Sequence, residues 1–283
     1  MSGNAPEPNR AAAAAPPKPA PPKRRARIGV PARIERTVAT VLRIHPFSNT
    51  SQMVVWLAAD GRRLVTSVKG AARPKSAFLG QYDLFQTCEL LYYGAARDGV
   101  HVARECDALR RRDSLRVNWR AEHAASWFSA LADIAASSDA AAPALFDLFG
   151  ETLDTLDALP GAPPPALFAR FEAKALAFLG LRPNFAPPPG APAGGSLRFN
   201  LAAGRAAAPE DPATDPVVPV PAAAVSLFGT LLDSPSVGPG SSLLRETPPG
   251  ARPLLRLLGL FLRYHLPDAP AEGRALAVEA LAR

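Results

Sequence analysis

The thirteen residues from Val68 to Gly80 hold three cations, Lys69, Arg73 and Lys75, and no acid. Gly70 and Pro74 keep regular structure out of this stretch, so it reads as an exposed loop. Cations gathered on a loop of a strand-rich segment suit the phosphate backbone of a nucleic acid. Further cations that could track phosphates are Arg43, Arg62 and Arg63 on the neighbouring segments, with Arg36, Arg97 and Arg104 beyond them. Phe47, in a turn before Asn49, is the aromatic expected to be exposed and free to stack on a base. Trp56, inside Val54-Val55-Trp56-Leu57, is expected to pack inward. The run Arg110-Arg111-Arg112 is compatible both with a phosphate contact and with a plain solvated connector.

Constellations for catalysis are missing. His45, His101, His123 and His265 are scattered, and there is no P-loop, no Gly-x-Gly-x-x-Gly and no His-Glu-x-x-His. Cys88 and Cys106 make neither a disulfide framework nor a zinc site, and they fall in segments that read as core strands. The sequence therefore predicts a binding protein rather than an enzyme, with no cofactor and no metal. The N-terminus has Arg and Pro but no apolar core of a signal peptide. The run Leu254 to Leu266 is too short to cross a membrane and is broken by Arg256 and Arg263. A reduced, cytoplasmic, nucleoid-associated protein is expected.

Charge is unevenly spread along the 283 residues. Residues 1–33 hold seven cations and one acid, and residues 34–116 hold thirteen and eight. Residues 117–283 hold twelve cations and sixteen acids. A nucleic-acid surface belongs on the first part of the chain. Residues 1–32 are Ala, Pro and basic residues with no face to bury, and read as a disordered basic arm. That arm either adds non-specific attraction to nucleic acid or only keeps the chain soluble.

The elements that must hold these residues are legible from period and punctuation. Five strands are predicted over residues 33–112: Arg36 to His45, Gln52 to Ala59, Arg62 to Lys69, Asp83 to Tyr93 and Gly99 to Glu105. Asp60-Gly61 marks a hairpin turn, and so does Arg97-Asp98-Gly99. Five short strands suit a small Greek-key barrel, of which the oligonucleotide-binding (OB) fold is the favoured form and an SH3-like barrel the competitor. From residue 113 to 283 the pattern is helical. Trp119, His123, Trp127, Leu131 and Ile134 mark one face, and Pro143 and Pro165 open two further helices. Residues 183–220 read as a long, irregular Pro/Gly-rich insert with one short strand-like piece, Leu197-Arg198-Phe199-Asn200-Leu201. The helix Pro253 to Leu266 is apolar almost all round, which fits either the buried centre of a bundle or a groove for a partner. The fold class is α+β in two domains, an OB-fold barrel followed by an α-helical bundle.

Several of these stretches resemble the bacterial recombination mediator RecO family. They are Leu64-Val65-Thr66-Ser67-Val68-Lys69-Gly70 with Arg73-Pro74-Lys75-Ser76, then Thr40-Val41-Leu42-Arg43 with Pro46-Phe47-Ser48. To these add Glu89-Leu90-Leu91-Tyr92, Leu176 to Pro183, and Tyr264-His265-Leu266. The resemblance implies a protein that binds single- and double-stranded DNA, anneals complementary strands and works with RecR. It also implies binding of the acidic C-terminal tail of single-stranded-DNA-binding protein and help in loading RecA. For that tail, Leu257 and Phe261 would line a pocket, with Leu254 and Leu258, and Arg256 and Arg263 would be its rim cations. Many members of the family carry a four-cysteine zinc site in the middle insert. Residues 183–220 here have no Cys and no His, so no zinc is expected there and the insert is expected to be mobile. The alternative reading is a non-catalytic OB-fold module for RNA binding or protein assembly.

Overall fold

The computed structural model describes residues 33–137, 142–187, 196–234, 238, 241 and 247–281. The expected basic arm, 1–32, lies outside the described residues. Five strands come first: β1 (Ile34–Pro46), β2 (Gln52–Ala58), β3 (Arg63–Val68), β4 (Thr87–Arg97) and β5 (Val100–Arg110). They form a hydrogen-bonded ring in the order β1-β2-β3-β5-β4, with β4 pairing again with β1. The length of β1 makes this possible. Its first half, Ile34 to Thr40, pairs with β4, and its second half, from Ala39 on, pairs with β2. A register shift between Val41 and Arg43 bends it from one partner to the other. The seam between β3 and β5 is parallel and only two residue pairs long, Thr66 with His101 and Ser67 with Val102. This arrangement fits the partly open Greek-key barrel of the OB fold.

Alternation along the strands separates two cores. Ala39, Val41, Val54, Trp56, Leu64, Cys88, Leu90 and Tyr92 fill the ring. Trp56 is wholly buried and its Nε1–H donates to Thr66 Oγ1 at 2.9 Å, as expected of a packing residue. Leu42, Val55 and Leu57 point the other way, into the core of the helices. The two predicted domains thus share buried surface, and Arg33–Arg283 is one compact unit. Strand boundaries differ in two places. β4 opens at Thr87 rather than Asp83, because Phe85 adopts a left-handed φ of 66° and turns its ring into the helical core. β5 runs on to Arg110, so the arginine run begins inside the ring.

Six helices follow a single turn at Asp113–Arg116: α1 (Trp119–Ala136), α2 (Pro143–Ala158), α3 (Pro165–Phe178), α4 (Ala222–Asp233), α5 (Ala251–His265) and α6 (Ala271–Glu279). Asn118 caps α1, its side-chain oxygen accepting from Ala121 N at 3.3 Å. Gly61 sits at the tip of the β2–β3 hairpin with φ 85°, and a Cβ there would lie 2.3 Å from the Ala142 carbonyl oxygen. Only glycine lets the hairpin tip meet the start of α2 so closely. α5 is amphipathic rather than apolar all round. Leu254, Leu257, Leu258 and Phe261 are core, whereas Arg252, Arg256 and Arg263 are exposed. No helix among the described residues is long and apolar enough to cross a membrane.

In the insert the strand-like piece at Leu197 to Leu201 was expected, but the sheet built around it was not. Its described part carries a three-stranded sheet, β6 (Leu197–Asn200), β7 (Arg205–Ala206) and β8 (Val217–Val220), in the order β7-β6-β8. Polar staples hold it. Buried Asn200 donates from Nδ2 to Asp215 Oδ2 at 2.8 Å, and Arg205 pairs with Asp211 at 2.5 Å. An aromatic chain ties the sheet to the helices, with Phe199 6.1 Å from Phe261 and Phe185 4.9 Å from Phe228 between ring centroids. His265, in the last turn of α5, bonds through Nε2 to the Leu201 carbonyl at 2.8 Å. Among the described residues no group of His, Cys, Asp and Glu side chains is placed to hold a metal ion.

Candidate nucleic-acid interface

The basic loop between β3 and β4 is anchored from below and free above. Ala71, Phe78 and Tyr82 pack against the core of the ring, with the Tyr82 ring 5.9 Å from that of Trp56. Burial pushes the Tyr82 phenol up to about 12, and its hydroxyl donates to Gln52 Oε1. Between these anchors the backbone makes consecutive tight turns, Arg73 N to Gly70 O, Ser76 N to Arg73 O and Leu79 N to Ser76 O. Gly70 has φ 73°, and the Arg73 side chain passes 3.4 Å from where a Cβ would stand. Cys88 and Cys106 lie under the loop, both thiols directed at the Gln81 carbonyl, at 3.6 and 3.8 Å. Lys69, Arg73 and Lys75 are left exposed.

The turn between β1 and β2 is bonded to this loop. Ala72 N donates to Thr50 O at 3.1 Å, and Gly70 N reaches Ser51 Oγ at 3.4 Å. The turn itself is closed by Phe47 N to Ser51 O at 2.9 Å. Phe47, 62% exposed, therefore belongs to the same end of the ring as the start of the basic loop. An exposed aromatic and unpaired cations on adjoining loops are the parts that a single strand needs.

The electrostatics single out these cations from the rest. Of the thirteen Lys and Arg between 34 and 116, nine have an acid partner. Arg43 and Arg63, two of the predicted DNA contacts, both turn to Asp133 of α1, at 3.0 and 2.6 Å. They hold the ring to the helices. Arg62, a third, pairs with Asp60 in its own hairpin at 2.7 Å. Arg112 is buried, and it ties the end of β5 to α2 through Asp154 at 2.8 Å and to the Phe85 carbonyl. Burial lowers its affinity for its proton, and Asp154 offsets this. The four cations without an acid partner among the described residues are Lys69, Arg73, Lys75 and Arg111. Arg111 donates from Nη2 to Gly80 O at 2.9 Å, so its guanidinium lies at the far end of the same loop. Sequence reading had placed it only in a run of arginines, because the bond to Gly80 spans 31 positions.

The outer face of the ring near β1 and β2 is closed to ligands. α1 covers Leu42, Val55 and Leu57, and Ser129 Oγ donates to the Leu42 carbonyl at 2.8 Å. The free cations of the ring are thus confined to the loops.

In the helical half, Arg256 and Arg263 line one groove of about 480 Å³ between α5 and α6, with Leu260, Leu262 and Leu266 as its apolar side. Leu257 and Phe261 do not line it. They are 3% and 2% exposed and belong to the core, since positions 257 and 261 lie on the inner face of α5. Behind the groove, fully buried Glu172 accepts from Trp127 Nε1 at 2.9 Å and from Arg274 Nε at 2.7 Å. Burial raises the Glu172 carboxyl above its usual range, against the pull of Arg274.

Residues 118–187 match the family described as "Recombination protein O C terminal". A curated relative, the DNA repair protein RecO of Rhodopirellula baltica, is 29% identical over 146 residues, 52% of this chain and 53% of its own length. Both matches support a likeness to the RecO family. The match spans about half the length of that relative. The RecO C-terminal match covers α1 to α3, of which α1 packs on the ring through Asp133 and Ser129.

The anchoring of the loop has a measurable consequence. Tyr82→Ala removes a half-buried ring from the base of the loop and is expected to destabilise the protein by about 2–4 kcal/mol. Denaturant unfolding gives the loss, and hydrogen exchange at the Gly70 and Ala72 amides should accelerate. Unchanged stability and unchanged exchange would show that the loop holds its place without that ring.

Proposed function

We propose that this protein acts in DNA repair and recombination as a non-catalytic mediator that binds DNA through the loops at one end of its OB-fold ring. The observation that carries this is the concentration of unpaired positive charge. Lys69, Arg73, Lys75 and Arg111 have no acid partner among the described residues, while the other ring cations do. A cation already paired with a carboxylate releases fewer counterions when it meets a phosphate, so unpaired ones dominate salt-sensitive binding. Phe47 beside them offers a stacking face for an unpaired base. Contacts to phosphate and to the face of any base read no sequence, which suits a protein that handles both single- and double-stranded DNA and brings complementary strands together. The family resemblance supplies the partners of this reading: RecR, the acidic C-terminal tail of single-stranded-DNA-binding protein, and RecA indirectly.

For the tail, the groove between α5 and α6 is the favoured seat. It pairs an apolar side with Arg256 and Arg263, as a peptide ending in acidic and apolar residues requires. Both arginines lack an acid partner among the described residues.

Two outcomes check this reading. Replacing Lys69, Arg73 and Lys75 by Ala should weaken DNA binding and reduce the slope of log affinity against log salt by about 2 to 3, the share of three phosphate contacts. An unchanged slope would remove the loop from the DNA site. Arg256→Ala with Arg263→Ala should lower the affinity for a labelled acidic tail peptide at least tenfold, about 1.4 kcal/mol, as read by fluorescence anisotropy. Wild-type affinity in that variant would place the peptide elsewhere.

A further inference from the structure

Trp119 is the first residue of α1 and was expected on one face with Trp127 and Leu131, which are buried. Instead it is 58% exposed. Its surroundings are not those of a stray surface indole. The Arg120 guanidinium stands 5.1 Å from the ring centroid, and His123 meets the ring edge-on at 5.7 Å. Beside it opens a groove of about 820 Å³, bounded by α1, α5 and α6, whose lining includes Leu276, itself 52% exposed.

The charges in this groove are mainly free and positive. Arg252 and Arg256 are four residues apart on α5, on one face and about 6 Å apart along the axis. Neither has an acid partner among the described residues. Arg274 also reaches the groove, but its charge is engaged by Glu172. The acids nearby are Glu279, in the lining, and Glu122, which lies 3.2 Å from His123 Nδ1. An exposed indole with a guanidinium at its ring and two unpaired arginines across a groove matches what single strands are held by: a π face for a base and cations for the phosphates.

We infer that this groove is a second contact for single-stranded nucleic acid, with a base stacked on Trp119 and phosphates on Arg252 and Arg256. It is built on the helical half, from elements other than the barrel loops. It deepens the DNA-binding reading, since one molecule with two such contacts holds two strands at once. It does not depend on the basic loop being the other contact.

The three tryptophans make the test direct. Trp56 and Trp127 are buried, at 0% and 2% exposure, so Trp119 is the one that a stacked base can quench. Oligo(dT) is titrated into the full chain while intrinsic fluorescence and the anisotropy of labelled oligonucleotide are followed together. Saturable quenching is expected in the wild type and in the variant with Lys69, Arg73 and Lys75 replaced by Ala. In that loop variant, adding Trp119→Ala should weaken oligonucleotide binding about tenfold, the size of one lost stacking contact. Adding Trp119→Phe instead, which keeps a stacking face, should leave most of the affinity. Arg252→Ala should weaken the quenching isotherm without touching the groove lined by Arg263. Binding seen by anisotropy with no quenching would overturn the proposal and leave the loop reading standing. Quenching by an acidic peptide but not by oligo(dT) would also overturn it, and would make the groove a peptide site. Quenching that persists while the loop variant binds as tightly as wild type would uphold this contact and defeat the loop.

Discussion

The packing of α1 on the outer face of β1 and β2 is the constraint on which the rest depends. Leu42, Val55 and Leu57 leave the ring and enter the helical core, so neither half can bury its apolar surface alone. Asp133, nearly buried, then draws Arg43 and Arg63 onto α1. A carboxylate in that position costs desolvation, and two guanidiniums compensate it. The junction thus neutralises two ring cations and covers the sheet face beside them. What stays available for phosphates is the loop end of the ring, where no helix packs on Lys69, Arg73 or Lys75.

That loop is positioned by the same principle on a smaller scale. Phe78 and Tyr82 enter the core of the ring, and the segment between Gly70 and Gly80 is short enough that successive turns fix its backbone. The cations project from a held frame, which reduces the entropy lost when they meet a ligand. In the helical half a comparable economy of charge appears. Buried Arg170 pairs with half-buried Glu151 and Arg274 with buried Glu172, whereas Arg252, Arg256 and Arg263 form an exposed stripe on α5 in a region whose overall charge is negative.

Local patterns made much of this readable beforehand. Five alternating runs and the Asp60-Gly61 and Asp98-Gly99 turns were enough for the ring, and Pro143 and Pro165 for two helix starts. The exposure of Phe47 and the burial of Trp56 also followed from their neighbours in sequence. What escaped depended on contacts between distant positions. Nothing near Arg43 or Arg63 announces a partner at Asp133, and nothing near Arg111 points to Gly80. In the insert only the strand-like piece at Leu197 to Leu201 was legible, because the other strands are two to four residues long and the staples join Asn200 to Asp215 and Arg205 to Asp211 rather than cysteines to a metal. Trp119 shares its helical spacing with buried Trp127, yet it is exposed beside the groove between α1, α5 and α6.

The central claim is that the unpaired cations of the basic loop meet the phosphates, and the rarity of lysine makes it directly testable. Lys69 and Lys75 lie on the loop, while Lys174 on α3 donates to the Ser234 carbonyl at 2.7 Å, far from it in sequence and bonded within the helical half. Limited acetylation with and without DNA, read by peptide mass spectrometry, compares the three in one sample. The account predicts that DNA protects Lys69 and Lys75 and leaves the reactivity of Lys174 as it was. Equal reactivity of Lys69 and Lys75 in free and DNA-saturated protein would contradict it.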